Sequence, residues 1–226
     1  MQDIQEIRTV YQQSANPEHA KSMQDYVRGK FKFFGIKAPL RREISKPFIG
    51  EVKNSTREEV FDLVKSLWNQ PERELHHLGQ EILFRAKKHL DEKEDIEFLQ
   101  WMVLNNSWWD TVDYIAPKLM KEYFEKFPEM RNKKVDEWVA SDNIWLKRSA
   151  LLIHLKQKEN PDLPYLFETI LRLTGSKEFF INKAIGWVLR EHAKKRPEII
   201  YNFVKKHEKS LSNLSVKEAL KHSPSK

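Results

Sequence analysis

The sequence predicts an all-α protein, a curved solenoid of stacked helical pairs. Apolar residues recur at helical spacing in most segments, whereas the β-branched alternation and Asn-Gly or Asp-Gly turns of strands and hairpins are nearly absent. Only 6 Gly and 10 Pro occur among 226 residues, which is a helix-leaning balance. A motif that returns at a nearly constant interval adds the prediction that the helices form repeats.

Helix faces and helix starts are legible along the chain. Two apolar faces with a 3.6-residue period are Phe61, Val64, Leu67 and Trp68, and Ile96, Leu99, Met102 and Val103. Capping boxes are predicted at Thr56 with Glu59 and at Ser215 with Glu218, and Pro71 is predicted in a first helical turn. Eight prolines are expected mostly between helices: Pro39, Pro47, Pro71, Pro117, Pro128, Pro161, Pro164 and Pro197.

The repeat is carried by three aromatic-rich segments that open at Ser107, Ser141 and Ser176. Their starts differ by 141 − 107 = 34 and 176 − 141 = 35 residues, and Pro71, 36 residues before Ser107, begins a more degenerate copy. This interval accommodates two helices and two connections, so about six helical pairs are expected. The three helices that open at these serines are predicted to line the concave wall.

Between these openings, second helices such as Asn160–Leu173 are expected to form the other layer. We see no linker and no second domain, so residues 1–222 are predicted to form one repeat domain and residues 223–226 a frayed tail.

Composition limits the class of function. Lys and Arg number 40 against 33 Asp and Glu, and the net charge of +7 favours an anionic partner, either nucleic acid or an anionic membrane surface, unless the charges are simply a solvated face. The lack of Cys excludes disulfides, iron–sulfur clusters and thiolate zinc sites. The first 20 residues contain no apolar signal region, and no segment approaches about 18 consecutive apolar residues, so we expect a cytoplasmic protein with no membrane association.

Several kinds of chemistry lack their motifs. The sequence has no Gly-rich phosphate loop, no Gly-x-Ser-x-Gly elbow and no His-Glu-x-x-His segment. His76 and His77 with Glu81 form the one conceivable metal cluster, but adjacent histidines cannot share one helix face, and ordinary surface residues are the better interpretation. We therefore expect neither a metal nor another cofactor.

The segment from Ser107 to Asp113 is the main candidate for a site. On a helix, Trp109 and Asp113 are four residues apart and share a face, which places a carboxylate beside a large π surface. The alternative is that Trp108 and Trp109 fill the core while the acidic residues favour the helix N-terminal region through the macrodipole.

The following repeats supply residues of matching type. Lys147 and Arg148 lie one turn into the second segment, and Lys183 and Trp187 are four residues apart in the third. If the helices are neighbours, Trp109, Asp113, Arg148 and Trp187 could converge on one groove. Alternatively, Trp187 belongs to the core and Arg148 is a solvated surface charge.

The basic, Phe-rich stretch 28–42 next to Tyr26 suits phosphate contact or a capped solenoid end equally well.

Several of the segments described above resemble those of a known protein family. The segments 107–113, 141–146 and 176–191, together with Phe-Phe-Gly-Ile at 33–36, Pro39 and the Arg41-Arg42 pair, closely resemble the AlkD family of DNA alkylation repair glycosylases over essentially the whole chain.

The resemblance implies a HEAT-like (ARM/HEAT) solenoid with a concave basic groove for double-stranded DNA. It implies hydrolysis of the N-glycosidic bond of cationic alkylpurines such as 3-methyladenine and 7-methylguanine, without base flipping. It places the catalytic aromatic pair on Trp109 and Trp187, the essential carboxylate on Asp113 and a backbone-contacting arginine on Arg148. Tyr26 matches a tyrosine at the groove, whereas Ala38 departs from a polar residue near the opposite strand.

The further residues expected to contact DNA are Arg41, Arg42, Lys147, Lys183 and Arg190. Hydrolysis of the N-glycosidic bond suits a site made of a carboxylate and aromatic rings, because an alkylated purine already carries a positive charge and leaves without a general acid. A carboxylate and aromatic faces can then stabilise the oxocarbenium-like state, as in glycoside hydrolysis. The expected protein is a monomer. The alternative is a non-catalytic helical-repeat module that binds DNA, RNA or protein.

Overall fold

A computed structural model describes residues 3–157 and 161–221, and these residues are helical with no β-strand among them. The prediction of an all-helical repeat fold is confirmed. Contacts between Cα atoms divide the chain into two compact units, Met1–Glu92 and Lys93–Lys226, here called the N-terminal and C-terminal units. The single domain over residues 1–222 stays a prediction, and the tail at 223–226 lies outside the described residues.

The N-terminal unit contains five α-helices among its described residues. They are α1 (Ile4–Gln13), α2 (Pro17–Tyr26), α3 (Ala38–Glu51), α4 (Arg57–Trp68) and α5 (Arg73–Arg85), with 3₁₀ turns at Val52–Asn54 and Lys87–His89. The predicted face of α4 is buried, and the predicted capping box is present, since Thr56 Oγ1 accepts from the Glu59 N–H at 3.2 Å and Glu59 accepts from the Thr56 N–H at 2.8 Å. Pro71 does not begin a helix, because α5 starts at Arg73 after the N-cap Glu72.

The C-terminal unit contains nine α-helices among its described residues. They are α6 (Asp95–Leu104), α7 (Trp109–Tyr114), α8 (Lys121–Lys126), α9 (Pro128–Ala140), α10 (Ile144–Leu152), α11 (Leu163–Leu173), α12 (Phe179–Ala193), α13 (Pro197–Lys206) and α14 (Asn213–Ala219). The predicted face of α6 is buried. The second helix expected from Asn160 begins at Leu163, and Asn160 itself lies outside the described residues.

A π-helical segment, Ile115–Met120, joins α7 to α8. Pro117 lies inside it and has no N–H to donate to the Asp113 carbonyl four residues earlier, so the regular α pattern cannot continue there. The Lys121 N–H instead donates to the Ala116 carbonyl five residues back. Pro47 in α3 and Pro117 lie inside helical segments. Of the other prolines that were expected between helices, four lie in first helical turns, namely Pro39, Pro128, Pro164 and Pro197, and only Pro71 and Pro161 lie outside helices.

The structure corrects the predicted helix starts at Ser107, Ser141 and Ser176 and the predicted capping box at Ser215. The helices that open the repeats begin after Trp108, Asn143 and Glu178, one to two residues later than the serines. Ser107 and Ser141 instead donate to carbonyls of the preceding helices, at 2.6 Å and 3.0 Å. The cap of α14 is Ser212, whose Oγ accepts from the Ser215 N–H at 3.1 Å, so the predicted capping box at Ser215 is wrong.

Candidate active site

Three aromatic rings, one from each of the three repeats found in the sequence, pack together at the site. Trp108, Trp145 and Phe180 lie with ring centroids 5.5 Å (Trp108–Trp145), 5.3 Å (Trp108–Phe180) and 5.0 Å (Trp145–Phe180) apart. Trp108 and Trp145 are buried, and Phe180 follows the first residue of α12. The interval of 34 to 35 residues therefore brings the helix starts together, as stacked repeats require.

An ion pair lies beside this cluster. Arg148 Nε donates to Asp113 Oδ1 at 2.7 Å and Arg148 Nη2 donates to Oδ2 at 2.8 Å, which is the bidentate arrangement of a strong charge-assisted pair. Arg148 Nη1 donates to the Phe180 backbone carbonyl. The Arg148 side chain is 4% exposed and the Asp113 side chain 18% exposed, so the arginine is enclosed while the carboxylate retains access to solvent.

Burial raises the pKa of Asp113 above its ordinary value. The hydrogen bonds and positive charge of Arg148 act in the opposite direction, and the nearby negative charge of Asp110 adds to the rise. The carboxylate is thus a desolvated base that one arginine orients through both oxygens.

The two predicted tryptophans occupy the helices of this site. Trp109 is the first residue of α7 and lies one turn before Asp113, so the two share a helix face. Trp187 lies two turns after Phe180 on α12. Both indoles are partly exposed, whereas Trp108 is the tryptophan of the adjacent pair that fills the core.

The alternative interpretation of Arg148 as a solvated surface charge is wrong, because the residue is 3% exposed. A phosphate contact is also difficult to reconcile with its three bonds to Asp113 and Phe180. Its burial was not predictable from composition, since arginine is mostly exposed in proteins and its acidic partner lies 35 residues away in the sequence.

The other predicted DNA contacts divide into two groups. Tyr26 is 73% exposed, Arg42 is exposed and Lys147 is partly exposed, so these three remain available to a ligand. Arg41 is corrected to a buried structural residue, since its guanidinium donates to both oxygens of Glu81 at 2.7 and 2.9 Å.

Lys183 and Arg190 of α12 are likewise bound within the protein. Both pair with the carboxylate of Glu218, Lys183 at 2.6 Å. Glu218 was missed as a site-related residue, because the sequence pattern assigned it to a capping box.

The basic stretch near the N-terminus is both core and surface. Phe34 and Ile36 are buried, while Lys32 and Lys37 are exposed. Ala38, the position that differs from the family's polar residue, is also exposed. Glu74 is buried below the loop and accepts hydrogen bonds from three successive backbone N–H groups, those of residues 34, 35 and 36, at 2.9 to 3.2 Å. No sequence signal marked Glu74 for this role.

The histidine cluster has a structural explanation. His76 is buried, with Nε2 2.8 Å from the Gln70 carbonyl and Nδ1 3.0 Å from Arg73 Nη1. Within residues 3–157 and 161–221, no three His, Cys, Asp or Glu side chains are grouped to hold a metal ion. The same residues include no helix of the length and hydropathy needed to cross a membrane.

The fold and the site together define a class of helical-repeat protein, in which the starts of three consecutive repeats bring aromatic rings together beside a carboxylate–arginine pair. The sequence model of the DNA alkylation repair enzyme family matches residues 7–223. The chain therefore belongs to this family, which assigns it to DNA repair.

Two solved structures resemble the fold. A predicted DNA alkylation repair enzyme from Enterococcus faecalis has a TM-score of 0.86 at 28% identity, and the match covers 94% of this chain and 98% of that one. The protein smu.31 from Streptococcus mutans UA159 has a TM-score of 0.62 at 20% identity, with 82% and 96% covered, and shows the fold alone. No curated protein sequence matches the chain significantly.

Proposed function

We propose that the protein is a DNA glycosylase of base excision repair that hydrolyses the N-glycosidic bond of cationic alkylated purines, such as 3-methyladenine and 7-methylguanine, in duplex DNA. The observation that carries the proposal is the Asp113 carboxylate, held by Arg148 at 2.7 and 2.8 Å and partly open to solvent next to the Trp109 face of α7. The resemblance to the AlkD branch of the family supports this assignment.

The chemistry follows from the charge of the substrate. The bond between C1′ and the purine nitrogen breaks, its electron pair neutralises the cationic base, and positive charge passes to the sugar. Water then adds to C1′ and loses a proton, so no external oxidant or reductant is needed. An ionised Asp113 stabilises the oxocarbenium-like state and accepts the proton from water.

Arg148 serves this reaction by orienting the carboxylate. Its two bonds fix both oxygens, and its charge keeps Asp113 ionised against the desolvation that raises the pKa of the carboxyl. The partly exposed faces of Trp109 and Trp187 would add cation–π attraction of about 0.5–2 kcal/mol per ring. Because the two indoles and the carboxylate are partly exposed, the proposed reaction does not require the base to be flipped into a pocket.

Binding to duplex DNA is proposed to use the exposed Tyr26, Arg42 and Lys147. Arg41, Lys183 and Arg190 are removed from the proposed contact set, since carboxylates of the same chain occupy their charged groups. We propose that the protein acts as a monomer in the cytoplasm on DNA that has already been alkylated.

The decisive experiment compares the wild type with Asp113→Asn on methylated duplex DNA, measuring free 3-methyladenine and 7-methylguanine. We expect base release to be abolished while duplex affinity changes little. Asp110→Asn is the matched control, because it makes the same chemical change one turn of backbone earlier in α7 and should retain release. Unchanged turnover by Asp113→Asn would reject the proposed role. Duplex binding without release by any form, the wild type included, would favour a non-catalytic repeat module.

A further inference from the structure

The carboxylate of Glu218 links α14 to α12 through two cations. Its Oε1 accepts from Lys183 Nζ at 2.6 Å, and its Oε2 accepts from Arg190 Nη1. The Glu218 side chain is 13% exposed, whereas Lys183 and Arg190 are 39% and 22% exposed. One acidic group from the last described helix therefore holds two cations that are separated by two turns of α12.

The two helices pack closely at this point. A Cβ placed on Gly186 would lie 2.4 Å from the Cβ of Glu218 and 2.9 Å from the Ser215 carbonyl, so only glycine permits this approach. Ser215 Oγ also donates to the Asn182 carbonyl at 2.9 Å in a buried position. The Glu218 backbone is thus fixed relative to α12, and its side chain has little freedom to move away from the cations.

The two cations lie on either side of Trp187 in the sequence of α12. Lys183 is four residues before Trp187, and Arg190 is three residues after it. Residues three and four apart are neighbours on a helix surface, so Lys183 and Arg190 occupy the positions that adjoin Trp187 on α12, one on each side along the axis. Trp187 is partly exposed, so side chains at these two adjoining positions limit the rotamers that are open to it.

We propose that Glu218 is a positioning residue for Trp187: by binding Lys183 and Arg190 it fixes the two side chains that flank the indole and so sets the orientation of the ring toward the substrate. The proposal rests on the proposed function only for the role of Trp187 in base release. The hydrogen bond from Lys183, together with Arg190, lowers the pKa of Glu218, so the carboxylate is ionised throughout the neutral range.

The test uses the full chain labelled with 5-fluorotryptophan, with Trp187→Phe to assign the Trp187 resonance. In Glu218→Gln we expect the 19F signal of Trp187 to shift or broaden while the other indole signals stay in place. Single-turnover base release should fall about tenfold, as expected for a misplaced group, with duplex affinity within about twofold of the wild type. Lys183→Met keeps much of the aliphatic stem, removes one ion pair and should move the same signal.

Glu97→Gln is the matched control, since Glu97 pairs with Lys134 of α9 at 2.5 Å rather than with a residue of α12. An unmoved Trp187 signal in both Glu218→Gln and Lys183→Met would overturn the proposal. So would tighter duplex binding with a steeper salt dependence in Glu218→Gln, because Glu218 would then compete with DNA phosphates for the cations. A shifted signal in a protein whose wild type releases no base would support the positioning role and reject the glycosylase assignment instead.

Discussion

The guanidinium of Arg148 makes three bonds, two to Asp113 and one to the Phe180 carbonyl, within a buried environment. Arg148→Ala leaves the desolvated carboxylate without this partner, so we expect a loss of about 3 kcal/mol in the free energy of unfolding and a sharp fall in base release. Chemical denaturation and single-turnover assays measure the two effects.

Lys147→Ala is the appropriate comparison, because it removes the adjacent and more exposed cation. It should leave stability nearly unchanged and weaken duplex binding. Arg148→Lys keeps the charge but cannot form two parallel N–H bonds, so it should recover only part of the loss. If Arg148→Ala were as stable as the wild type, and only the salt dependence of DNA binding changed, the phosphate-contact interpretation of Arg148 would be restored.

The protonation of Asp113 predicts how activity depends on pH. Burial raises the pKa of Asp113, so its carboxylate is protonated at a higher pH than an ordinary aspartate is. The activity proposed for this carboxylate should therefore be lost at a higher pH as acid is added. The stability of the fold depends on pH in the opposite direction. Because folding raises the pKa of Asp113, the folded state favours the protonated carboxyl group. This contribution to the free energy of unfolding is present below the pKa that Asp113 has in the unfolded chain, and it is lost as the pH rises through the pKa in the folded protein.

A pH–rate profile of base release, corrected for spontaneous depurination, measures this pKa. The apparent pKa of the acid limb should lie above the ordinary range for aspartate. Asp110→Asn should lower this apparent pKa slightly, since the negative charge of Asp110 contributes to the raised pKa of Asp113. A limb at the ordinary value would contradict the desolvated site.

At the scale of elements, the loop before α3 depends on one glycine. Gly35 has φ 87°, and a Cβ there would lie 2.0 Å from the Asn16 carbonyl oxygen and 2.6 Å from the Ala20 nitrogen. Gly35→Ala is expected to destabilise the N-terminal unit by about 2–4 kcal/mol, through overpacking and left-handed strain together.

Gly29→Ala separates the two causes. Gly29 also has a left-handed φ, 70°, but no atom lies within 4 Å of its Cβ position, so about 1 kcal/mol of strain is expected alone. Denaturation followed by circular dichroism provides the measurement, and equal losses at the two glycines would show that the contact with Asn16 is unimportant.

The repeat could be predicted from the sequence because its aromatic residues recur at an interval that the fold requires. The sharing of a face by Trp109 and Asp113 could also be predicted, since it depends only on helical spacing. The helix starts were misplaced because Ser107 and Ser141 bond backward to the preceding helices, a choice that depends on tertiary packing. The ion-pair partners of Arg148 and Glu218 could not be predicted for the same reason, because each partner lies at least 28 residues away in the sequence and is brought close only by tertiary packing.

At the scale of the whole molecule, the proposed chemistry needs no metal, because the alkylated base leaves as a neutral molecule and Asp113 suffices to receive a proton. Base release is therefore expected to be the same with and without a chelator such as EDTA. Activity that disappears in EDTA and returns with added Mg²⁺ or Zn²⁺ would contradict the mechanism.

The seven tryptophans are unevenly distributed between the two compact units. Of the seven tryptophans, only Trp68 precedes residue 93, and it is fully buried with its ring centroid 5.4 Å from that of His76. The other six belong to the C-terminal unit, where Trp108 and Trp145 are close enough for their electronic transitions to couple. Intrinsic tryptophan fluorescence and near-ultraviolet dichroism thus report mainly on residues 93–226. A melting temperature obtained from them can miss a separate transition of the other unit, which a backbone signal at 222 nm would record.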